Sequence, residues 1–207
     1  MKATLLDHMG TDNTVVNAAR VSFDKKAEDY TSEQNAKLIK YLAKHEHYSP
    51  FGHCFAGFHV KAPIFVRAQL VKNEYLRMNE ISRRYVETTP EFFLPKMWRG
   101  RPENKKQGSH GYIQDSGAYN FALVDHYEEA IKHYEWLLEE GVAPEMARML
   151  LPQSMYTEWY WSGSLDAFAN MVKLRTKPDA QEETRVIAEQ ISQQMKDKFP
   201  ISWSALV

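Results

Sequence analysis

Helix and strand are mixed in this chain, in what reads as one domain over residues 1–207. From Gly52 to Val60 the residues Cys54, Ala56, Phe58 and Val60 alternate with His53, Phe55, Gly57 and His59. That period of two predicts a strand buried on at least one face. Elsewhere apolar residues step by three and four. Phe121, Val124, Tyr127, Ile131, Tyr134 and Leu138 do so between Ala118 and Glu140, and Ile187, Ile191 and Met195 do so near the end. Those steps predict amphipathic helices. No repeat, low-complexity tract or linker interrupts the 207 residues, a length that buries a sizeable core.

Taken in order, Met1 to Met9 predicts a short strand carrying Ala3, Leu5 and Leu6, and Gly10 to Asn13 a turn. Val15 to Ser22 fits helix or extended chain. Thr31-Ser32-Glu33-Gln34 is a capping box that opens a helix with Leu38, Ile39 and Leu42, running out at His45-Glu46-His47. Pro50 and Gly52 enforce a turn before the strand. Pro63 suits the first turn of a helix, and a helix is expected from there to Tyr85. Its apolar stripe of Leu70, Val71, Tyr75, Leu76 and Met78 is broken and ends in Asn79-Glu80. The polar set Asn79, Glu80, Ser82, Arg84 and Tyr85 then reads as a rim aimed at an anion, or equally as a salt-bridged surface.

Residues 86–116 carry Pro90, Pro95, Pro102, Gly100 and Gly108. An irregular stretch this long is unusual in a compact domain unless it is functional or mobile. Its run Lys105-Lys106-Gln107-Gly108-Ser109 reads as solvated rather than phosphate-binding. Gly141 stops the long helix. Pro144 starts a short helix through Arg148 that Pro152 breaks. Tyr156 to Trp161 is rich in aromatics. Ser164 caps a helix with Leu165, Phe168, Met171 and Val172. Pro178 opens the last long helix and Pro200 ends it.

The net charge of −1 implies no general polyanion-binding surface, so nucleic acid is not an expected partner. Cys54 is the single cysteine, which excludes an internal disulfide framework and a cysteine metal site. No signal-peptide-like or membrane-length apolar run is present, so a soluble, cytoplasmic protein with no membrane partner is the expectation. Eight histidines are present, but His45 and His47, or His53 and His59, have no carboxylate at ligand spacing, and there is no HExxH pattern. No metal is expected. Glycine-rich phosphate loops and the GxSxG elbow are also missing. Cys54, in an apolar strand without an adjacent activator, reads as an inert buried thiol. Arg148 and Arg175 each interrupt an apolar stretch, so each guanidinium either faces a ligand or is paired, with Glu145 and Asp179 as the nearest candidate partners.

Six segments occur in one order: Ala19-Arg20-Val21-Ser22, Ser49-Pro50-Phe51-Gly52-His53, His59 to Val66, Asn79-Glu80-Ile81-Ser82-Arg83-Arg84-Tyr85, Ala147-Arg148 followed by Leu151-Pro152, and Asn170 followed by Leu174-Arg175. Together they resemble the flavin-dependent thymidylate synthase family, from Ala19 to about Gln181. The resemblance implies an α+β fold with a twisted, mostly antiparallel sheet packed with long helices. It also implies a homotetramer binding FAD at subunit junctions. NADPH reduces the flavin, methylenetetrahydrofolate donates one carbon, and dUMP becomes dTMP.

By the same resemblance, Gln69, Lys72, Glu80, Ile81, Ser82, Arg83, Arg84 and Arg148 fall on the dUMP side. Arg175 matches the arginine that favours the ionised pyrimidine and is the expected catalytic residue. Ser49, Lys72, Asn73, Glu74, Glu80, Ser164, Asp166 and Asn170 fall on the FAD side. A dianionic phosphate suits the forked donors of Arg84 and Arg148, and a cation in an apolar setting suits charge developing on the uracil ring.

The departures cluster on the flavin side. The family's Arg-His-Arg reads Lys72-Asn73-Glu74, with Arg77 one turn on along the expected helix. Its Asn-Ala-Arg reads Ser164-Leu165-Asp166. Gly52 stands where a Glu is usual. Two rivals follow: a sister enzyme acting on another pyrimidine nucleotide, for example by hydroxymethylation, and a non-catalytic nucleotide- or nucleic-acid-binding homologue without flavin.

Overall fold

The computed structural model of the chain describes residues 1–103 and 108–207, so Lys105, Lys106 and Gln107 lie outside the described residues. Strand β1 is Lys2–Met9, β2 is Phe55–Pro63, β3 is Arg77–Glu80 and β6 is Tyr156–Ser164. They form one sheet in the order β1-β2-β6-β3, and each neighbouring pair is antiparallel. A two-stranded ribbon pairs β4 (Arg99–Gly100) with β5 (His110–Tyr112). The helices are α1 (Asp12–Arg20), α2 (Ser32–Lys44), α3 (Ile64–Leu70), α4 (Gly117–Glu139), α5 (Pro144–Ala147), α6 (Leu165–Arg175), α7 (Glu182–Lys198) and α8 (Pro200–Leu206). The fold is therefore α+β.

The period of two in β2 does what the sequence requires. Ala56, Phe58, Val60 and Ala62 are buried, and on β6 Thr157, Trp159 and Trp161 share their face. Phe168, Met171 and Val172 of α6 and Ile187, Ile191 and Met195 of α7 belong to the same core. The other face is polar: His59 pairs with Glu158 at 2.9 Å and Lys61 with Glu91 at 2.9 Å. One buried and one wet face is the usual state of an antiparallel sheet. The β1 edge is covered by α7, where Gln190 and Gln194 side chains accept the Ala3 and Leu5 amides at 2.7 Å each. Covering the edge removes a template for pairing with other chains.

Several expectations are corrected. Cys54 lies just before β2, not within it. The last long helix begins at Glu182 rather than at Pro178. Phe121 and Val124 of α4 are exposed, while Tyr127 and Tyr134 are buried. Ser164 holds the cap position of α6 without a side-chain hydrogen bond. The aromatic run 156–161 is the central strand β6, and Pro200 starts a further helix, α8, instead of only ending one. The Asp12 carboxylate satisfies the Ile201 and Ser202 amides of that helix at 3.0 and 2.8 Å.

The largest correction concerns residues 63–85, which are not one helix. Helix α3 ends at Leu70, where the Asn73 side-chain Nδ2 donates to the Leu70 carbonyl at 2.7 Å. Tyr75 then takes a left-handed φ of 64°, which breaks any helix, and residues 77–80 pair with β6. Tertiary pairing overrides local helical preference here. Met78 turns inward to the core while Arg77 and Asn79 are exposed. The expected helical pairing of Glu74 with Arg77 therefore does not exist.

Candidate active site

Of the residues matched to dUMP, all but Lys72 and Arg84 line one of two separate cavities. Glu80, Ile81, Ser82, Arg83 and Arg148 line the first, of about 600 Å³, together with Lys61, Thr157 and Glu158. Glu80 leaves the end of β3 half-buried, and its carboxylate accepts from Arg67 at 2.6 Å and from the Thr157 hydroxyl at 2.8 Å. Beyond it, residues 82–86 form a tight turn, with the Tyr85 amide donating to the Ser82 carbonyl at 2.9 Å. Arg83 is tied back to the Thr88 carbonyl.

Arg84 and Arg148, which are 64 positions apart in sequence (148 − 84), converge on Glu145. Arg84 Nε lies 3.4 Å from the Glu145 carboxylate, and Arg148 Nε donates to the Glu145 carbonyl at 3.3 Å. Both guanidinium groups are exposed, so neither is consumed as a core ion pair. The expected Arg148 pairing with the Glu145 carboxylate is thus replaced by a backbone contact, and Arg84 takes the carboxylate.

Gln69 and Arg175 line the second cavity, of about 440 Å³, with Leu174, Asp179 and Gln181. Arg175 Nη2 donates to the Gln69 carbonyl at 2.6 Å, not to Asp179. Its Nε is buried with no partner among the described residues. Burial pushes this guanidinium down from the ordinary arginine value. A half-buried cation with an unspent donor is poised to stabilise negative charge in the cavity.

Apart from Glu80, which lines the first cavity, the residues matched to flavin lie on three segments around the point where β6 passes into α6. Ser49 is exposed in the turn before residues 51–53, and that turn packs against α6. The 72–76 turn lies over Gly163: a Cβ there would meet Leu76 Cδ2 at 2.5 Å and the Tyr75 carbonyl at 3.0 Å. Lys72 and Glu74 are exposed on this turn and Asn73 is half-buried. Ser164 and Asp166 sit at the start of α6 and Asn170 is exposed further along it. Asp166 Oδ1 is buried and lacks a partner among the described residues. An orphaned acceptor at that place fits a hydroxyl- or amine-bearing ligand. From Asp166 to Arg175 the helix advances roughly 14 Å, so within one chain these two residues lie at opposite ends of α6.

Cys54 is fully buried, and its thiol donates to the Thr11 carbonyl at 3.5 Å. Burial first, and the Asp12 carboxylate second, push it up to about 11. Such a thiol is not ionised near neutrality and is a poor nucleophile.

The family model described as "Thymidylate synthase complementing protein" matches residues 4–201. A flavin-dependent thymidylate synthase of Thermus thermophilus is 43% identical over 97% of this chain and 73% of its own length. This chain belongs to the flavin-dependent thymidylate synthase family. A second member, from Kosmotoga olearia, is 38% identical over 98% of this chain and 88% of its own. Among solved structures, the UMP/dUMP methylase PolB from Streptomyces cacaoi, bound with 5-Br dUMP, superposes with a TM-score of 0.89. It is 31% identical, over 99% of this chain and 93% of that one.

Sequence reasoning did not find the polar cluster behind Gln69 in this family member. Arg99 of β4 donates through Nη2 to both Glu183 oxygens at 2.7 Å and through Nη1 to Glu182 at 3.1 Å. Gln181 Nε2 donates to Glu183 at 2.9 Å, and Gln69 Nε2 donates to Gln181. Burial raises the Glu183 carboxyl, but Arg99, the backbone and Gln181 outweigh it and hold it below its ordinary value. Arg67, the partner of Glu80, was also overlooked. Arg67 directly follows the His59–Val66 segment, yet only the fold shows what it touches; nothing in the spacing of Arg99 and Glu183 links them.

Proposed function

We propose that the chain methylates C5 of dUMP to give dTMP, with FAD as cofactor, NADPH as reductant and methylenetetrahydrofolate as carbon donor. The convergence of Arg84 and Arg148 on Glu145, beside the Ser82 cavity, carries this reading. A phosphate dianion competes well with one exposed carboxylate for two forked donors, and the Ser82 hydroxyl adds a third contact. Arg83, on the wall of the same cavity, contributes further positive charge.

The pyrimidine is assigned to Gln69 and Arg175. As a nucleophile forms at C5, negative charge develops at O2 and N3, and the half-buried Arg175 stabilises it more strongly than a solvated cation does. No protein nucleophile is needed, in keeping with the raised Cys54 thiol. Ser49, Lys72, Asn73, Glu74, Glu80, Ser164, Asp166 and Asn170 would hold FAD. When bound, the reduced flavin supplies the electrons for the transfer, while these residues orient it and shield it from water. Because the phosphate-side and pyrimidine-side residues line separate cavities on one protomer, we further propose that a second copy completes each site, within a homotetramer.

A second reading keeps the same chemistry but takes UMP, in line with the UMP/dUMP specificity in the name of the Streptomyces cacaoi relative. The test is direct. The purified protein should carry flavin absorbance and convert dUMP to dTMP when given NADPH and methylenetetrahydrofolate. Faster turnover of UMP would favour the second reading. Protein without flavin that still binds dUMP would identify a non-catalytic binder and sink both.

A further inference from the structure

Glu183 has no part in the assignments above, yet the polar chain that reaches Gln69 starts from it. Arg99 donates to both of its oxygens at 2.7 Å. Gln181 Nε2 donates to it at 2.9 Å. Gln181 Oε1 accepts from Gln69 Nε2, and Gln69 Oε1 accepts from the Thr184 hydroxyl at 3.2 Å. Glu183 and Thr184 are buried, while Gln69, Gln181 and Arg175 border one cavity.

The members of this chain differ in what they can reverse. A glutamine amide presents either its NH2 or its oxygen, and a hydroxyl either donates or accepts. A guanidinium only donates and an ionised carboxylate only accepts. Arg99 and Glu183 are therefore the fixed end. Glu183 draws the NH2 of Gln181 toward itself, which turns the Gln181 oxygen to Gln69. That oxygen draws the NH2 of Gln69, which leaves the Gln69 oxygen to Thr184.

We propose that Glu183, held by Arg99 and acting through Gln181, is a positioning residue that sets which way the Gln69 amide faces and thereby selects uracil over cytosine. The proposal rests on the assignment of the pyrimidine to Gln69 and Arg175. Beyond the contacts just named, Gln69 keeps one N–H and one oxygen lone pair. Uracil offers an N3–H donor beside an O4 acceptor, and cytosine offers an N3 acceptor beside an N4 amino donor. An amide locked in one orientation pairs with one of these edges and sets like against like on the other, which is how a polar site rejects a near-isostere.

Replacing the carboxylate by an amide reverses the chain. In Glu183→Gln, Arg99 captures the new oxygen and the new NH2 faces Gln181, so Gln181 turns and Gln69 turns after it. In the double variant Gln181→Glu/Glu183→Gln the charge is that of the wild type and the carboxylate at position 181 again draws the NH2 of Gln69.

Dissociation constants for dUMP and dCMP, measured by calorimetry on flavin-matched full-length protein, test this. The wild-type preference for dUMP should fall on the order of tenfold in Glu183→Gln, the worth of one hydrogen bond, and should return in the double variant. A preference unchanged in Glu183→Gln, or equally lost in the double variant, overturns the proposal. If Glu183→Gln does not fold, the volume-matched Gln181→Met carries the test: it cuts the chain, so its preference should narrow severalfold, and an unchanged preference overturns the idea. Gln69→Ala separates the two levels. If it leaves both nucleotides unaffected, the pyrimidine assignment itself is wrong.

Discussion

At the scale of single residues, Arg175 shows how placement sets a chemical role. It closes α6 half-buried, one Nη2 donor is spent on the Gln69 carbonyl at 2.6 Å, and its Nε has no partner among the described residues. A ground-state ligand gains little from a cation already tied to the backbone. Charge that appears only in the transition state gains much more. Arg175→Ala should therefore lower kcat by at least about a hundredfold, the loss of roughly 3 kcal/mol of electrostatic stabilisation. The dUMP dissociation constant should change far less. Arg175→Lys, which keeps charge but loses the fork, should fall between. Steady-state kinetics with separate binding titration decides it; equal turnover in wild type and Arg175→Ala removes the role. Arg175 was visible in the sequence as a cation in an apolar run. Its partner was not, because a backbone carbonyl leaves no mark in side-chain spacing.

At the scale of elements, the segment between β3 and α4 is held down at several points. The Phe93 amide donates to the Ser154 carbonyl at 2.9 Å, the Tyr127 hydroxyl to the Phe93 carbonyl at 2.7 Å, and Trp98 Nε1 to Asn120 at 2.7 Å. Arg99 is the most consequential anchor, since it ties β4 to the start of α7. Glu183 has a lowered folded-state value, so the bridge contributes stability above the unfolded carboxyl value of about 4.5 and loses it as pH falls through the lower folded one. Arg99→Gln should cost on the order of 3–5 kcal/mol near neutrality, because it strands a buried carboxylate. That cost should shrink in acid once pH falls below the unfolded carboxyl value and through the lower folded one, where wild type loses the same bridge. Chemical denaturation near neutrality and in that acid range measures it, and a pH-independent cost would mean the pair is not ionic.

The turn after α3 yields a second test at the same scale. Glu74, set against a family arginine by the resemblance alone, is exposed beside the Gly163 end of β6. Glu74→Arg should tighten FAD and raise the flavin potential, since added positive charge favours the reduced anion. Flavin titration and potentiometry check this, and no change in either would place Glu74 away from the flavin. The strand alternation of 55–60, the capping box at Thr31 and the long α4 were legible in sequence because each is a local signal. The break after Leu70 was not, since β3 exists only by virtue of the β6 edge it pairs with. The same limit hid the Arg99–Glu183 link, which joins residues 84 positions apart.

At the scale of the whole molecule, one protomer brings the matched residues into three places. Ser82, Arg83 and Arg148 border the first cavity, with Arg84 joined to Arg148 through Glu145; Gln69 and Arg175 border the second; and Ser164 and Asp166 sit at the start of α6. Among the described residues none lines both cavities, and a nucleotide that joins phosphate to pyrimidine needs both sets at once. If each site takes its phosphate arginines from one copy and Arg175 from another, inactive variants should complement. In a mixed oligomer of Arg84→Ala and Arg175→Ala, some junctions combine an intact Arg84 from one copy with an intact Arg175 from the other. Other junctions collect both lesions. Mixing the two purified variants, with a brief dissociation and reassembly, should then recover a substantial fraction of wild-type turnover although each alone is nearly inactive. Sedimentation confirms that subunits have exchanged. If exchange is complete and activity stays at the level of the separate variants, Arg84 and Arg175 serve the same site from the same chain, and closure within one protomer must bring the two cavities together.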